Sequence, residues 1–294
     1  MTLPISVALC ADKNIEVGLH VTLYSLLESS HHFIKIYFLQ KGYQPQDIDK
    51  IHKTLAKFNG NYELEVIQFD DKIFSNLRGL QGNKFTYTRI MLANLVSEVR
   101  IIYLDSDLVI KKDLGSLFFE DLNGHIIGAS GIENVERSLE YNFFTSLGLE
   151  GGVKYFNAGV LLIDLQAWRQ ADITKRCFEF AKKYPNMLLT ADQTILNYVF
   201  YDNNFHELDK SYNHALYASS KQILSDIDDS IFHFVGSPKP WDFLGEVAHK
   251  NYPLFHSILT KTAFSNYKTF LDISIHRIQR TLRLTKQYYT CFTK

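Results

Sequence analysis

The strongest constraint on the fold is an alternation. Short runs rich in β-branched and aromatic residues take turns with stretches of helical periodicity along most of the chain. Strands are predicted at "ISVALCA" (5–11), "IKIYFLQ" (34–40), "YELEVIQF" (62–69), "RIIYLD" (100–105), "HIIGAS" (125–130), "GVLLIDL" (159–165) and "IFHFVG" (231–236). Helices are predicted at roughly 16–30, 46–58, 86–97, 167–184 and 190–201. Strands and helices that take turns through most of the chain read as parallel βαβ units, so the chain is of the α/β class. Its first 110 residues look like half of a nucleotide-binding sheet. In such sheets ligands settle beyond the carboxyl ends of the strands. Asp12 and Asn14 follow the first predicted strand, and Asp105 and Asp107 follow the fourth, so polar strand ends share one crevice. There is no internal repeat and no low-complexity segment.

Bulk composition narrows the partners. Of 294 residues, 46% are hydrophobic, enough for an ordinary core. Lys plus Arg is 31 against 32 for Asp plus Glu, a net charge of −1, which argues against a nucleic-acid binder. Cys10, Cys177 and Cys291 are scattered and make no CxxC pair, so neither a disulfide framework nor a zinc knuckle is expected. The start "MTLPISVALCADKN" lacks the basic head and apolar stretch of a secretory signal. No apolar run approaches the ~20 residues of a membrane span. The expectation is a cytoplasmic protein, free or resting on the inner face of the membrane.

The segment "YLDSDLVI" holds the central chemical clue. Residues two apart in an extended segment project from one face, so Asp105 and Asp107 can converge. Two converging carboxylates repel unless a hard divalent cation with a taste for oxygen ligands lies between them. Taken alone, D-x-D is a common acidic pair, and a solvated loop explains it as well. "IFHFVGSPKPW" (231–241) adds weight, because His233, Gly236, Lys239 and Trp241 follow a strand within nine residues. A nitrogen ligand from His233 shifts preference from Mg²⁺ toward Mn²⁺. Gly236 permits close backbone approach to a phosphate, Lys239 brings a point charge, and Pro238 and Pro240 stiffen the loop. "YFNAGVLLIDL" (155–165) sets Asn157 at the mouth of a buried strand, where its amide can bind hydroxyls. In "LTADQTILNYVF" (189–200), Thr190 is the expected helix cap, with Asp192 and Gln193 in the first turn. Asp192 there equally suits the helix dipole, and Arg89 in "FTYTRIML" equally suits a surface.

These four segments, in this order and spacing over about residues 5–245, resemble the family 8 retaining glycosyltransferases, above all the bacterial lipopolysaccharide galactosyl- and glucosyltransferases. The resemblance implies a GT-A fold: a mixed, mainly parallel central sheet flanked by helices, followed by a C-terminal helical extension. It implies a catalytic domain at 1–250 and a helical region at 251–294. It also implies a UDP-sugar donor (UDP-galactose or UDP-glucose), a saccharide or glycolipid acceptor, Mn²⁺ with Mg²⁺ as the substitute, and retention at the anomeric carbon. Position by position, Asp105, Asp107 and His233 match the family's metal ligands. Cys10, Asp12, Lys13, Asn14 and Ser106 match its nucleotide-binding positions, and Gly236, Ser237 and Lys239 match the loop that closes over the diphosphate. Arg89, Asn157 and Asp192 match residues that hold the donor sugar, and Gln193 matches the one beneath the reacting carbon. One departure stands out: "GASGIENVE" carries Ile132 and Glu133 where the family often has an Asp touching the sugar.

An amide is a poor nucleophile, so Gln193 points toward same-face attack, with the carbonyl facing a cation-like carbon. Three rival readings accompany this one. "YLDSDLVI" also fits a haloacid-dehalogenase-type phosphatase with Asp105 as nucleophile, although a third of the chain precedes it. A non-catalytic UDP-sugar-binding protein would keep the same fold. Self-glucosylation on one of 17 tyrosines is open to composition. Acceptor contacts are expected in loops 70–85 and 135–152. From Leu271 on, Leu271, Ile275, Ile278, Leu282 and Tyr289 recur at helical spacing, with Arg277, Arg280 and Arg283 on the other side. Two readings of this tail stand level: a basic amphipathic helix on an anionic lipid surface, or a terminal helix packed on its own domain.

Overall fold

The computed structural model describes residues 3–80, 82–130, 133–202, 204–219, 229–270 and 275–293, without the side chains of 275–277 and 293. Its strands are β1 (Ile5–Asp12), β2 (Ile34–Lys41), β3 (Tyr62–Gln68), β4 (Arg100–Leu104), β5 (Leu108–Ile110), β6 (Ile127–Ala129), β7 (Glu133–Asn134), β8 (Lys154–Tyr155), β9 (Val160–Asp164), β10 (His206–Glu207), β11 (His214–Ala215) and β12 (Ile231–His233). Seven of them form the central sheet in the order β10-β6-β9-β4-β1-β2-β3. All neighbours in it are parallel except β9, which runs against both β4 and β6. A three-stranded sheet, β11-β12-β5, leans beside it, and β7 pairs with β8.

Both faces of the sheet are covered. Along β1, Ile5, Val7, Leu9 and Ala11 point into one core and Ala8 into the other, the period-two alternation of a strand. Helices α1 (Glu16–Ser29) and α2 (Pro45–Leu55) cover the first face. α1 is buried on every side from Val17 to Leu27, so its sequence is apolar all round. Each of its leucines contributes about 1.5–3 kcal/mol by leaving water. The helix Tyr252–Leu259, the first part of the helical region expected at 251–294, packs Phe255, Ile258 and Leu259 into the same core.

Three expectations change on contact with the structure. The strand at 159–165 is antiparallel to both its neighbours; the chain between β6 and β9 folds into the β7–β8 pair and a six-residue helix, Tyr141–Ser146, in place of a covering crossover helix. That reversal brings the start of β9 next to the end of β4, with Val160 paired to Leu104. The helix expected at 86–97 is a 3₁₀ run, Phe85–Met91, closed by one α-turn, Leu92–Leu95. A 3₁₀ stretch of that length is uncommon, and here it carries Arg89 inward. The helix expected at 167–184 is two helices, Leu165–Gln170 and Ile173–Lys183, broken where Asp172 takes φ +51°.

The tail forms the helices Ile275–Arg283 and Thr285–Thr293, but not with the predicted inner face. Arg280 forks onto Asp242 at 2.7 and 3.0 Å, while Leu284 and Tyr288 are buried against Ala248 and Cys291 packs beside them. Positions 280, 284 and 288 share one face at four-residue spacing. Ile278, Leu282 and Tyr289 therefore stay exposed, and Arg280 points into the protein. Leu271 lies outside the described residues. Among the described residues no helix is long and apolar enough to cross a membrane.

Candidate active site at the strand ends

Asp105 and Asp107 sit where the chain leaves β4 for β5, changing sheets. A bend at Ser106 and Asp107, rather than the extended backbone expected, turns both carboxylates the same way. β12 runs antiparallel to β5 with His233 opposite Leu108, and the Phe234 amide donates to the Asp107 carbonyl at 3.0 Å. The small sheet thus carries His233 to the acidic pair across more than a hundred residues. His233 Nε2 lies 3.2 Å from Asp107 Oδ1 and 3.7 Å from Asp105 Oδ2. One ligand atom from each residue falls within 4.8 Å of the other two, the one such cluster among the described residues.

Three neighbours aim this cluster. Asn213 Oδ1 lies 2.9 Å from His233 Nδ1 and accepts only from a protonated nitrogen, so Nδ1 keeps the proton and Nε2 presents its lone pair to the acids. Asn213 Nδ2 donates in turn to Asn157 Oδ1 at 2.9 Å, which also accepts from the Gly159 amide at 2.8 Å. At Gly159 a Cβ would lie 2.3 Å from His233 Cε1, so the imidazole occupies space that only glycine leaves free. Asp107 is buried. Burial pushes its carboxyl up, yet the Lys239 charge opposes that and the carboxyl stays below the usual range. Lys239 Nζ takes one oxygen, Oδ2, and donates also to the Phe234 carbonyl. Oδ1 is left buried without a hydrogen-bond donor. An orphaned carboxylate oxygen beside an imidazole lone pair and a second carboxylate fits a divalent cation.

A second charged knot lies next to the first. Arg89, buried, reaches Asp105 Oδ1 with Nη2 at 2.9 Å and Asp192 Oδ2 with Nε at 2.7 Å, and its Nη1 donates to the Ala158 carbonyl. Its guanidinium lies over the Tyr103 ring at 4.3 Å, and the Tyr103 hydroxyl donates to Asp105 Oδ1 at 2.8 Å. Burial pushes the Asp192 carboxyl up to about 6 despite the Arg89 charge. The Arg89–Asp192 contact is an ion pair without an aligned hydrogen bond, which is why the opposing charge does not offset desolvation. Asp192 opens the helix Asp192–Val199, but Thr190 is not its cap. Ala191 takes that place at φ +55°, and the Thr190 hydroxyl turns instead to Glu140 and Thr194. Gln193 is held at both ends, accepting from the Ala158 amide at 3.0 Å and donating to the Tyr155 hydroxyl at 3.2 Å.

The remaining candidates line the rim. Asp12, the last residue of β1, accepts from the Asn14 amide at 2.9 Å. Lys13 is committed to Glu16 at 2.7 Å and Asp47 at 2.6 Å, fixing the loop to α1 and α2. Ser106 Oγ donates to the Cys10 carbonyl at 3.4 Å, tying the first strand to the acidic turn; burial pushes the Cys10 thiol up. Gly236 has φ +78°, a conformation glycine adopts without strain, and Ser237 follows it. The Lys239 amide donates to Asp242 at 2.7 Å. Trp241 presses on α1 at Gly18, where a Cβ would lie 2.5 Å from the indole. Of the departure in "GASGIENVE", Glu133 lies in β7, and Ile132 falls outside the described residues. Sequence reasoning missed Asn213, Gly159 and Gly18. Asn213, in "SYNHALY", belongs to no motif, and the two glycines matter only through what approaches them.

Comparison with known proteins agrees with this geometry. The family model for glycosyl transferase family 8 matches residues 6–245. Glycosyltransferase GlyF of Streptococcus pneumoniae is 27% identical over 244 residues, covering 81% of this chain and 57% of its own length. General stress protein A of Bacillus subtilis is 25% identical, covering 79% of this chain and 86% of its own. Among solved structures, the galactosyltransferase LgtC, crystallised with donor and acceptor sugar analogues, superposes with a TM-score of 0.73 at 22% identity, over 94% of this chain and all of its own. That likeness shows the GT-A fold. The chain belongs to glycosyl transferase family 8 and is a glycosyltransferase, which sets aside the phosphatase reading.

Proposed function

For a glycosyltransferase of family 8, we propose that this chain moves a hexose, galactose or glucose, from a UDP-sugar to a hydroxyl of a saccharide acceptor, lipopolysaccharide or another cell-surface glycan, with retention. The observation that carries the reading is the convergence of Asp105, Asp107 and His233 around an orphaned carboxylate oxygen, next to Gln193 and the Arg89–Asp192 pair. Asp105, Asp107 and His233 are the residues to hold a divalent cation, Mn²⁺ by the imidazole's preference, which when bound neutralises charge on the departing diphosphate.

The chain's own residues do the rest. Lys239, on the loop bent at Gly236 and Ser237, adds a positive charge beside the same phosphates. Cys10, Asp12, Lys13, Asn14 and Ser106 frame the nucleotide at the end of β1. Asn157, Arg89 and Asp192 face the sugar. The bond from the anomeric carbon to the diphosphate breaks while the bond to the acceptor oxygen forms on the same face, and the acceptor's proton passes to the departing phosphate. Gln193 presents its carbonyl to the cation-like carbon. Asp192, held against Arg89, has no free approach as a nucleophile. Galactose is the first sugar to test, since LgtC is a galactosyltransferase.

The deciding experiment is UDP release from a panel of UDP-sugars with Mn²⁺, with and without saccharide acceptors. Metal-dependent turnover of one sugar supports the reading; silence across the panel overturns it. A membrane-surface role for the tail belongs to the same proposal. Ile278, Leu282, Tyr289 and Phe292 are exposed there, at 47%, 69%, 69% and 53%, on helices that also carry Arg283 and Lys286.

A further inference from the structure

Glu140 stands in a loop that neither the metal cluster nor the nucleotide rim uses, yet it is completely buried. Four donors converge on its carboxylate, and among the described residues no cation does. Oε1 accepts from the Thr190 amide at 3.0 Å, the Thr190 hydroxyl at 2.6 Å and the Thr194 hydroxyl at 2.7 Å; Oε2 accepts from the Tyr155 hydroxyl at 3.0 Å. A carboxylate buried this deeply is costly to keep, and all of it is spent on fixing hydroxyl directions.

The direction propagates. The Tyr155 hydroxyl donates to Glu140 Oε2 and also touches Thr190 Oγ1 at 3.0 Å, so its oxygen keeps a lone pair for the Gln193 amide nitrogen, 3.2 Å away. From the other side, the Ala158 amide only donates, so the Gln193 atom 3.0 Å from it is the carbonyl oxygen. Both constraints select the same amide orientation. We propose that Glu140, acting through Tyr155, is a positioning residue that locks the nitrogen end of the Gln193 amide, and with the Ala158 amide at the other end holds the side chain against the sugar. This rests on the reading of Gln193 as the group beneath the anomeric carbon. With the carbonyl toward the sugar a developing positive charge is stabilised; a flipped amide presents N–H groups and repels it. Replacing Glu140 by Gln keeps size and burial but supplies a donor, so Tyr155 can turn its proton toward Gln193; the amide nitrogen then loses its acceptor and only the Ala158 amide still holds the group in place.

The test uses Glu140→Gln and Tyr155→Phe, each alone and combined with Gln193→Ala. Each single variant is expected to lower kcat about 10–100-fold, the cost of a misplaced reacting group, with KM for the UDP-sugar and UDP binding unchanged. In the Gln193→Ala background the same changes should cost nothing further. A folded variant that keeps wild-type kcat, or a loss of equal size with Gln193 already gone, overturns the proposal. A second readout needs no turnover. The Gln193 side-chain amide, assigned as the resonance missing from Gln193→Ala, should exchange slowly with solvent and shift in Glu140→Gln. A freely exchanging amide in the wild type refutes the positioning role whatever the enzyme's activity. Silence of the wild type on every UDP-sugar would overturn the parent reading alone.

Discussion

Gly159→Ala adds one methyl group and should remove a metal ligand. Gly159 does not occupy the left-handed region, so alanine meets no backbone penalty and the effect is steric. The new Cβ would stand 2.3 Å from His233 Cε1 and 2.6 Å from Nδ1, where ordinary contact begins at 3.4 Å. The imidazole must therefore retreat by at least about 1.1 Å, several times the roughly 0.2 Å tolerance of a metal bond. It cannot do so and keep the 2.9 Å contact with Asn213. Mn²⁺ affinity, titrated calorimetrically in the presence of UDP, should fall by at least the roughly 10–100-fold of an outer-shell defect, about 1.4–2.7 kcal/mol. The crowding should also cost about 1–3 kcal/mol of stability. Adding His233→Ala relieves the clash, so thermal stability should recover while Mn²⁺ binding does not. A folded Gly159→Ala protein that binds Mn²⁺ as tightly as the wild type would refute the ligand role of His233 and the packing argument together.

Asp107→Asn should leave the fold intact but lower Mn²⁺ affinity by more than the roughly 10–100-fold of outer-shell changes, abolishing UDP release; surviving Mn²⁺-dependent turnover contradicts the assignment. Asp192 carries a pH signature. Its carboxyl titrates at about 6 in the folded protein and near 3.9 unfolded, so the native state binds its proton more tightly. The stability this provides is full below about pH 4 and lost as pH rises through 6. Urea unfolding of wild type relative to Asp192→Asn should thus lose about 2–3 kcal/mol across that window and level off above it; a difference that stays flat or grows is the wrong sign. Leu282→Glu with Tyr289→Glu, both at exposed positions, should leave thermal unfolding unchanged while weakening sedimentation with anionic vesicles about tenfold or more. Equal sedimentation retires the membrane role of the tail.

What the sequence revealed follows from what is local. β1 to β4, α1 and α2 were legible because period two and burial on both faces write themselves into short runs such as "ISVALCA" and "IKIYFLQ". The acidic pair and the 231–241 loop were legible because their residues are neighbours in the chain. The reversal of β9 was not, since a strand buried on both sides reads the same in either direction. The tail failed for a related reason. Its stripe of Ile278, Leu282 and Tyr289 has helical spacing, but a fork from Arg280 to Asp242 and a buried Tyr288 bind the other face to the domain. Spacing says that a helix has an apolar side; it does not say which side the rest of the protein can complement.

The least legible layer is the one that decides orientation. His233 and Gln193 are ambiguous as bare side chains: an imidazole has two tautomers and an amide two faces. Each ambiguity is resolved by a group that can act only one way. The Asn213 carbonyl can only accept, and so places the lone pair of His233 on Nε2. The Ala158 amide can only donate, and so places the carbonyl of Gln193. Asn157 joins the two, accepting from Asn213 and from Gly159, one residue beyond Ala158. The strand that carries Asn157, Ala158 and Gly159 to this spot is β9, the one running backwards. Its reversal puts three successive polar backbone and side-chain groups at the carboxyl ends of the parallel strands, where a parallel β9 would have delivered Asp164 instead. The antiparallel strand is therefore what lets one short segment set the direction of both the His233 imidazole and the Gln193 amide.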